Sequence, residues 1–294
     1  MKVKVVEVGP RDGLQNEPES IASQDKIKFI EALADAGLRE IEASSFVNPK
    51  RIPQLADAAE VFAGLKPRQG VAYSALVPNM KGMERALACG VRRVAVFTAA
   101  SETFTQRNIG MSIGESLDAF RPVMEAAQAH GVSVRGYVST CFVCPYEGEI
   151  SAENVVRVAS DLHALGCDEI SLGDTIGAAA PTDVQRTVGM VLSALPAKKI
   201  ALHFHDTYGT ALANVYAGLQ LGITTFDSSA GGLGGCPYAP GASGNLATED
   251  LVYLLQRMGI ECGVDLGKVA EASSGIARIL GRDLPGKQWK RLQG

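Results

Sequence analysis

Eight short β-strand patterns alternate with helical patterns along almost the whole chain, and this alternation constrains the fold more than any other feature. Amphipathic stretches such as DKIKFIEALADAG and AENVVRVASDLHALG separate the strand patterns. Strands that alternate with helices form parallel sheets with helical crossovers. Eight such units in 294 residues predict a closed (β/α)8 TIM barrel. The strand patterns are Lys2–Val8, Glu40–Ser45, Val71–Val77, Arg93–Thr98, Ser133–Ser139, Glu169–Gly173, Ile200–His205 and Thr225–Ser229.

A doubly wound open sheet is the alternative fold. It usually carries a glycine-rich phosphate-binding turn after its first strand, whereas Gly9–Gly13 reads GPRDG, which lacks that spacing. A further helical pattern, Leu266–Leu280, follows the eighth strand pattern. We therefore expect a catalytic barrel over residues 1–260. Residues 261–294 are predicted to form a short C-terminal helical extension that packs on the barrel and is not a separate domain.

The composition argues against several functions. A formal charge of −4 and a pI near 5.7 do not favour general binding to nucleic acid or to anionic membranes. No apolar run approaches the roughly 20 residues that span a bilayer. The first residues show no charged leader followed by an apolar segment, which predicts a cytoplasmic protein. The Cys141-x-x-Cys144 pair lacks the second pair that would complete a zinc ribbon.

A histidine pair ends the seventh strand pattern. His203 and His205 alternate with Phe204, so the two imidazoles point to the same side of the strand. The carboxyl ends of barrel strands meet at one rim, where catalytic groups gather. Oxygen ligands from other strand ends would complete a six-coordinate Mg²⁺ or Mn²⁺ site there. The candidate ligands are Asp12, His203, His205 and Asn245.

Other interpretations of these residues stay open at this stage. Asp12 is also suited to cap a helix or to pair with Arg11. Alternatively, the two histidines are core residues, or they contact the ligands of a site without binding the ion themselves. Cys236 lies in a glycine-rich segment, where a thiol is a candidate proton donor or acceptor, or else an incidental small residue.

Three motifs together resemble the 3-hydroxy-3-methylglutaryl-CoA (HMG-CoA) lyase family. They are GPRDGLQNE after the first strand pattern, the His-x-His of the seventh, and GLGGCPYAPGASGN after the eighth. The resemblance extends from Val3 to about Asp265. The family belongs to a superfamily of metal-dependent TIM-barrel lyases and aldolases. Related isopropylmalate and homocitrate synthases share the Arg-Asp turn and the His-x-His but differ after strand eight.

The resemblance implies a role for each matching residue. It implies that Arg11 contacts the thioester carbonyl and stabilises an enolate, and that Cys236 is the catalytic proton donor. Either Asp12 or His203 would accept the hydroxyl proton. Glu42 and Asp174 would orient Arg11 and the histidines. The same resemblance implies that the divalent cation is bound by Asp12, His203, His205 and Asn245. The candidate substrate contacts are Arg11, Asn108, Arg135 and Asp174.

The implied reaction is a retro-Claisen cleavage of HMG-CoA to acetyl-CoA and acetoacetate. It would serve leucine degradation and ketone body formation. The alternatives are a lyase for a longer 3-hydroxy-3-alkylglutaryl-CoA, an acyl-CoA condensing synthase, and a barrel without enzymatic activity. The expected partners are a small acyl-CoA substrate and further copies of the chain in a homodimer or higher homo-oligomer. Neither nucleic acid nor a membrane is expected to bind.

Overall fold

The computed structural model describes residues 1–235 and 244–294, and in these residues eight parallel strands form a closed barrel. The order around the barrel is β1-β8-β7-β6-β5-β4-β3-β2, so each strand lies beside its neighbours in the sequence and β1 closes against β8. This confirms the predicted (β/α)8 TIM barrel. The strands are β1 (Lys4–Glu7), β2 (Glu40–Ser45), β3 (Ala72–Leu76), β4 (Arg93–Ala99), β5 (Ser133–Ser139), β6 (Glu169–Asp174), β7 (Ile200–Phe204) and β8 (Thr225–Ser228).

Helices surround the barrel and connect its strands. Helix α5 shows how local sequence sets their ends: it begins with a capping box between Ser112 and Glu115, and it ends at Gly131, which has a positive φ of 62°. The helices are α1 (Ser23–Asp35), α2 (Ala58–Gly64), α3 (Met80–Ala88), α4 (Glu102–Ile109), α5 (Ile113–His130), α6 (Ala152–Leu165), α7 (Pro181–Ala194), α8 (Ala211–Gln220), α9 (Thr248–Arg257), α10 (Leu266–Leu280) and α11 (Lys287–Gln293).

The first strand is shorter than its pattern predicts. Its C-terminal end is set by a single π-helical turn, Gly9–Gly13, in which the amides of Arg11, Asp12 and Gly13 all donate to the carbonyl oxygen of Val8. At the other end, Lys2 forms an isolated bridge with Glu261. The π-turn places Arg11 and Asp12 directly above the carboxyl end of β1.

The barrel interior differs from the apolar layer outside it. The main hydrophobic core lies between the strands and the surrounding helices, with members such as Val94, Ile30 and Leu162. The amino-terminal end of the interior instead contains an ionic group, in which Glu169 pairs with Lys4 at 2.6 Å and with Arg93 at 3.0 Å. Buried charges of this kind require partners, and the opposite charges supply them.

The C-terminal helices lie against the barrel's outer layer. Helix α10 packs on α1 and α9, and α11 packs on α9 and α10. The boundary at residue 260 stays a prediction. Within the part of the chain that the structure describes, none of the helices has both the length and the apolar character that a membrane crossing needs.

Candidate active site

A cavity of about 660 Å³ opens at the carboxyl ends of the strands. Its polar wall includes Arg11 and the two histidines of β7, and its apolar wall includes side chains from β3, β4 and the helices that follow them. The apolar members are Val47, Ile52, Leu76, Pro78, Phe97, Phe104, Ile109, Met111, Phe120 and Val138. A cavity with one polar wall and one apolar wall suits a ligand that carries a reactive polar end and a longer apolar arm.

Asp12, His203 and His205 converge in this cavity. Each offers one ligand atom, and these atoms all lie within 4.8 Å of one another. Asp12 comes from the π-turn after β1, whereas His203 belongs to β7 and His205 follows it directly. The barrel therefore brings together three residues that could hold a metal ion.

Asn245 lies beside this triad. It forms an isolated antiparallel bridge with His205, and its Nδ2 donates to Asp12 Oδ2 at 2.9 Å and to the Leu233 carbonyl at 3.0 Å. Its Oδ1 is buried and has no hydrogen-bond partner among the described residues. A buried oxygen without a partner next to a carboxylate and two imidazoles is what a divalent cation would satisfy. The residues present therefore fit such an ion.

The electrostatics of the triad suit ligands that must be deprotonated. Burial alone would raise the pKa of Asp12, but the Arg11 guanidinium and the two histidines lower this pKa to about 2. Burial and the neighbouring His203 lower the pKa of His205 to about 4. Near neutral pH, Asp12 is therefore an anion and His205 a neutral imidazole, the forms that coordinate metals.

Arg11 is fixed by two carboxylates. Its Nε donates to Glu42 Oε2 at 2.5 Å, and its Nη1 donates to Asp12 Oδ1 at 2.7 Å. Burial would lower the pKa of Arg11, but these carboxylates raise it well above its usual range, so the guanidinium is always charged. Glu42 thus orients Arg11. Asp12 both pairs with Arg11 and belongs to the triad.

Asp227 contacts His203, and sequence reasoning missed it. Its Oδ2 lies 3.2 Å from His203 Nδ1, and the side chain of His203 meets the ring of Tyr137 edge-on. Tyr137, also missed, stands between Arg11 and Arg135, whose Cζ atoms lie 5.6 and 5.0 Å from its ring centroid. A charged residue in the middle of a strand pattern is the signal that could have identified Asp227.

Two candidate substrate contacts, Arg135 and Asp174, are not among the residues that line the cavity, and their contact with the substrate stays a prediction. Arg135 is buried in the barrel interior, where it pairs with Asp227 and Glu169. Asp174 is fully buried, and its two oxygens accept the amides of Ala178 and Ala179. Asp174 therefore shapes the turn after β6, while Asp227 is the carboxylate in contact with His203.

Of the two remaining candidates, Asn108 lies among the described residues and Cys236 does not. Asn108, near the end of α4, lines the cavity. Cys236 lies outside the described residues, and its described neighbour Gly235 lines the cavity. The carbonyl of Gly235 accepts a hydrogen bond from Asn16 at 3.1 Å. The described chain therefore reaches the cavity at the residue before the predicted proton donor.

Comparison with known proteins identifies the family of the chain. The model of the HMGL-like family matches residues 2–276. A "3-hydroxy-3-isohexenylglutaryl-CoA/hydroxy-methylglutaryl-CoA lyase" of Pseudomonas aeruginosa is 53% identical over 99% of this chain and 97% of its own length. The mitochondrial hydroxymethylglutaryl-CoA lyase of Bos taurus is 54% identical over 96% of this chain and 86% of its own. The crystal structure of the Bacillus subtilis HMG-CoA lyase superposes with a TM-score of 0.98 at 50% identity, covering 100% of this chain and 98% of that one.

Proposed function

The chain belongs to the HMGL-like family, and on that premise we propose that it is a hydroxymethylglutaryl-CoA lyase. It cleaves HMG-CoA to acetyl-CoA and acetoacetate. The observation that carries the assignment is the position of the charged Arg11 against the Asp12, His203 and His205 triad in one cavity. Membership of this family does not favour a longer-chain lyase, a condensing synthase or a barrel without activity.

We propose that Asp12, His203, His205 and Asn245 hold one Mg²⁺ or Mn²⁺ ion. The orphaned Oδ1 of Asn245 and the anionic state of Asp12 support this set. Carboxylate, amide and imidazole ligands without sulfur favour these ions over structural zinc. When bound, the ion supplies Lewis-acid polarisation of the substrate's oxygens.

The protein's own groups move the protons and stabilise the charge. Asp12 or His203 accepts the proton of the tertiary hydroxyl group. The bond between the second and third carbons of the acyl chain then breaks, which leaves acetoacetate and the enolate of acetyl-CoA. Arg11, oriented by Glu42, donates hydrogen bonds to the enolate oxygen. Cys236 then gives its proton to the enolate carbon, so that both products are complete.

The substrate lies along the cavity that these groups share. Asn108 remains the candidate contact on the side of α4, and the apolar wall around Phe104 and Phe120 suits the methyl group and the pantetheine arm. We further propose that the enzyme is cytoplasmic, assembles as a homodimer or larger homo-oligomer, and serves leucine degradation and ketone body formation. The assembly and the metabolic role are proposed from the family resemblance, and the location from the sequence pattern. Light scattering of the purified protein tests the assembly.

Product analysis tests the proposed function directly. The purified protein with Mg²⁺ and HMG-CoA should release acetyl-CoA and acetoacetate in equal amounts. A panel of 3-hydroxy-3-alkylglutaryl-CoA thioesters with longer chains should react more slowly. Failure to form acetoacetate from HMG-CoA would contradict the proposal.

Replacing Cys236 with serine tests the proton donor. Because a hydroxyl is a far weaker acid than a thiol, Cys236→Ser should lower kcat by orders of magnitude while the affinity for Mn²⁺ stays unchanged. The matched control is Cys262→Ser, which changes a half-buried free cysteine outside the cavity wall. Near-normal kcat in Cys236→Ser would rule out this role.

A further inference from the structure

Asp227 is buried in the barrel interior directly beside His203. The two residues are register partners on the neighbouring parallel strands β8 and β7, so their side chains leave the sheet on the same side. Asp227 is 1% exposed. Its Oδ2 lies 3.2 Å from His203 Nδ1 and also accepts the hydroxyl of Ser171 at 2.9 Å, and its Oδ1 accepts Arg135 Nη2 at 2.6 Å.

These contacts determine which nitrogen of His203 carries the proton. A carboxylate paired with a guanidinium and a hydroxyl donor is ionised, and an ionised carboxylate only accepts hydrogen bonds. His203 Nδ1 must therefore donate. In the neutral imidazole, the form that binds a cation, the opposite ring nitrogen Nε2 then carries the lone pair, and the ring cannot turn without breaking the bond to Asp227.

We propose that Asp227 is a positioning residue, which holds His203 in the Nδ1–H tautomer and presents its Nε2 to the divalent cation. This inference rests on the proposed metal centre and adds to it a residue that contacts one of the ligands. Hydrogen bonds from a carboxylate to a metal-binding histidine fix the ring and strengthen it as a ligand. Asp227 thus acts through His203 and does not need to touch the substrate. With a proton on Nδ1 and the cation on Nε2, His203 has no lone pair for another proton, so of the two candidate acceptors this inference leaves Asp12.

A column of alternating charges holds Asp227 in place. We define the charge column as Lys4, Glu169, Arg135 and Asp227. Lys4 donates to Glu169, Glu169 lies 3.1 Å from Arg135 Nε, and Arg135 donates to Asp227. Its members come from β1, β6, β5 and β8, so no single strand can shift Asp227 alone. The column runs from the amino-terminal end of the barrel to His203 and neutralises each charge that it buries.

Binding of Mn²⁺ alone, without substrate, tests the proposal. Asp227→Asn keeps the size of the side chain but removes the negative charge that accepts from Nδ1. The affinity for Mn²⁺, measured from the electron paramagnetic resonance of the free ion, should fall about 10- to 100-fold. Glu40→Gln is the control, because Glu40 pairs with Lys4 and Arg93 at the base of the same barrel and leaves Arg135 and Asp227 together. Its affinity should stay close to that of the unchanged protein.

The outcomes separate this inference from the function on which it rests. If the unchanged protein binds no Mn²⁺, both the metal centre and the inference fail. If it binds Mn²⁺ and Asp227→Asn binds equally well, only the inference fails. An equal fall in Asp227→Asn and Glu40→Gln would also overturn it, because general loss of negative charge would then explain the result.

A second measurement is made on the unchanged protein and does not depend on the folding of Asp227→Asn. The chain has four histidines, so imidazole ¹⁵N spectra of histidine-labelled protein are simple to assign, with His203→Gln identifying the signal of interest. In the Mg²⁺-saturated protein, His203 should show a protonated Nδ1 and an unprotonated Nε2. A proton on Nε2 of His203 would overturn the inference.

Discussion

The guanidinium of Arg11 is oriented without help from any ligand. Glu42, which is 1% exposed, accepts from its Nε, and Asp12 accepts from its Nη1. The charge is thus already in position in the cavity wall, and no reorganisation is needed when negative charge develops on a substrate oxygen. The same contact with Asp12 links the proposed enolate-stabilising group to the candidate metal-binding triad.

Replacing Arg11 tests this arrangement. Arg11→Gln should lower kcat about 10²- to 10³-fold, because it removes a fixed donor at the developing charge. Arg51→Gln is the matched control, since Arg51 also lines the cavity but is exposed at its mouth. Steady-state measurement of acetyl-CoA release compares the two. Unchanged kcat in Arg11→Gln would show that the guanidinium has no part in the chemical step.

Glu7 is a buried carboxyl group whose titration has a measurable consequence. Its Oε1 accepts the amides of Gly9 and Ala230, and its Oε2 lies 2.6 Å from the Thr248 hydroxyl. Burial raises the pKa of Glu7 from 4.5 to about 8. Between these values the unfolded chain releases a proton that the folded chain retains. The free energy of unfolding should therefore fall as the pH rises from about 4.5 to about 8.

Glu7→Gln should make this fall shallower. Glutamine can keep the accepting oxygen for Gly9 and Ala230, and the Thr248 hydroxyl, which donates to Glu7, can turn to accept from the glutamine amide. Urea unfolding across this pH range measures the change, and Glu84→Gln, on the exposed face of α3, is the control. A pH dependence of stability that is the same with and without Glu7 would contradict the assignment of a raised pKa.

At the scale of elements, local sequence patterns predict the strands and helices better than they predict contacts between distant segments. The observed bounds of β2 and β5 are those of their sequence patterns. Strand β1 ends earlier than its pattern, because the π-turn that begins at Gly9 redirects the chain after Val8. The proximity of Asp12 and Asn245, which are 233 positions apart, depends on β1 closing against β8. Periodicity carries no information about such pairs. Asn245 is a candidate in the sequence because it follows the eighth strand pattern, and the family motif implies the same role.

Asp227 and Arg135 show the same limit. The sequence shows that Arg135 is charged but not where its side chain points, and it is therefore a predicted substrate contact. In the barrel it lies one layer below the rim and pairs with Asp227, 92 positions away. Only the registers of β5, β6, β7 and β8 decide which inward residues share a layer. The rim itself was predictable because it requires only the strand ends.

Docking of α11 on α9 gives a prediction at this scale. Asp250, in the first turn of α9, accepts the amides of Lys287 and Gln288, which begin α11. Asp250→Ala leaves these two amides without an acceptor, so the free energy of unfolding should fall by about 1–3 kcal/mol. Amide hydrogen exchange in α11 should also become faster.

The control for this change is Asp118→Ala. Asp118 forms an exposed pair with Arg121 on α5, and such pairs contribute little to stability. Its effect on chemical denaturation should stay within about 0.5 kcal/mol. An equally small effect in Asp250→Ala would mean that α11 is held by apolar packing, such as that of Trp289, and not by these hydrogen bonds.

At the scale of the whole molecule, barrel closure brings the reaction's components into one cavity. The π-turn after β1 supplies Arg11 and Asp12, β7 supplies the histidines, and the chain after β8 supplies Asn245. The barrel interior below them contains ion pairs such as that of Arg135 with Asp227, while the layer between the strands and the helices is apolar. The apolar layer that stabilises the fold is thus separate from the rim of the barrel, where the candidate catalytic residues lie.

Metal removal tests the central claim most directly. The protein is treated with a chelator, the chelator is removed, and acetyl-CoA release from HMG-CoA is measured before and after Mn²⁺ or Mg²⁺ is added. Without the ion, Asp12, His203, His205 and Asn245 have no cation through which to act, so activity should be lost and then restored by either ion. Full activity in the metal-free protein would contradict the account.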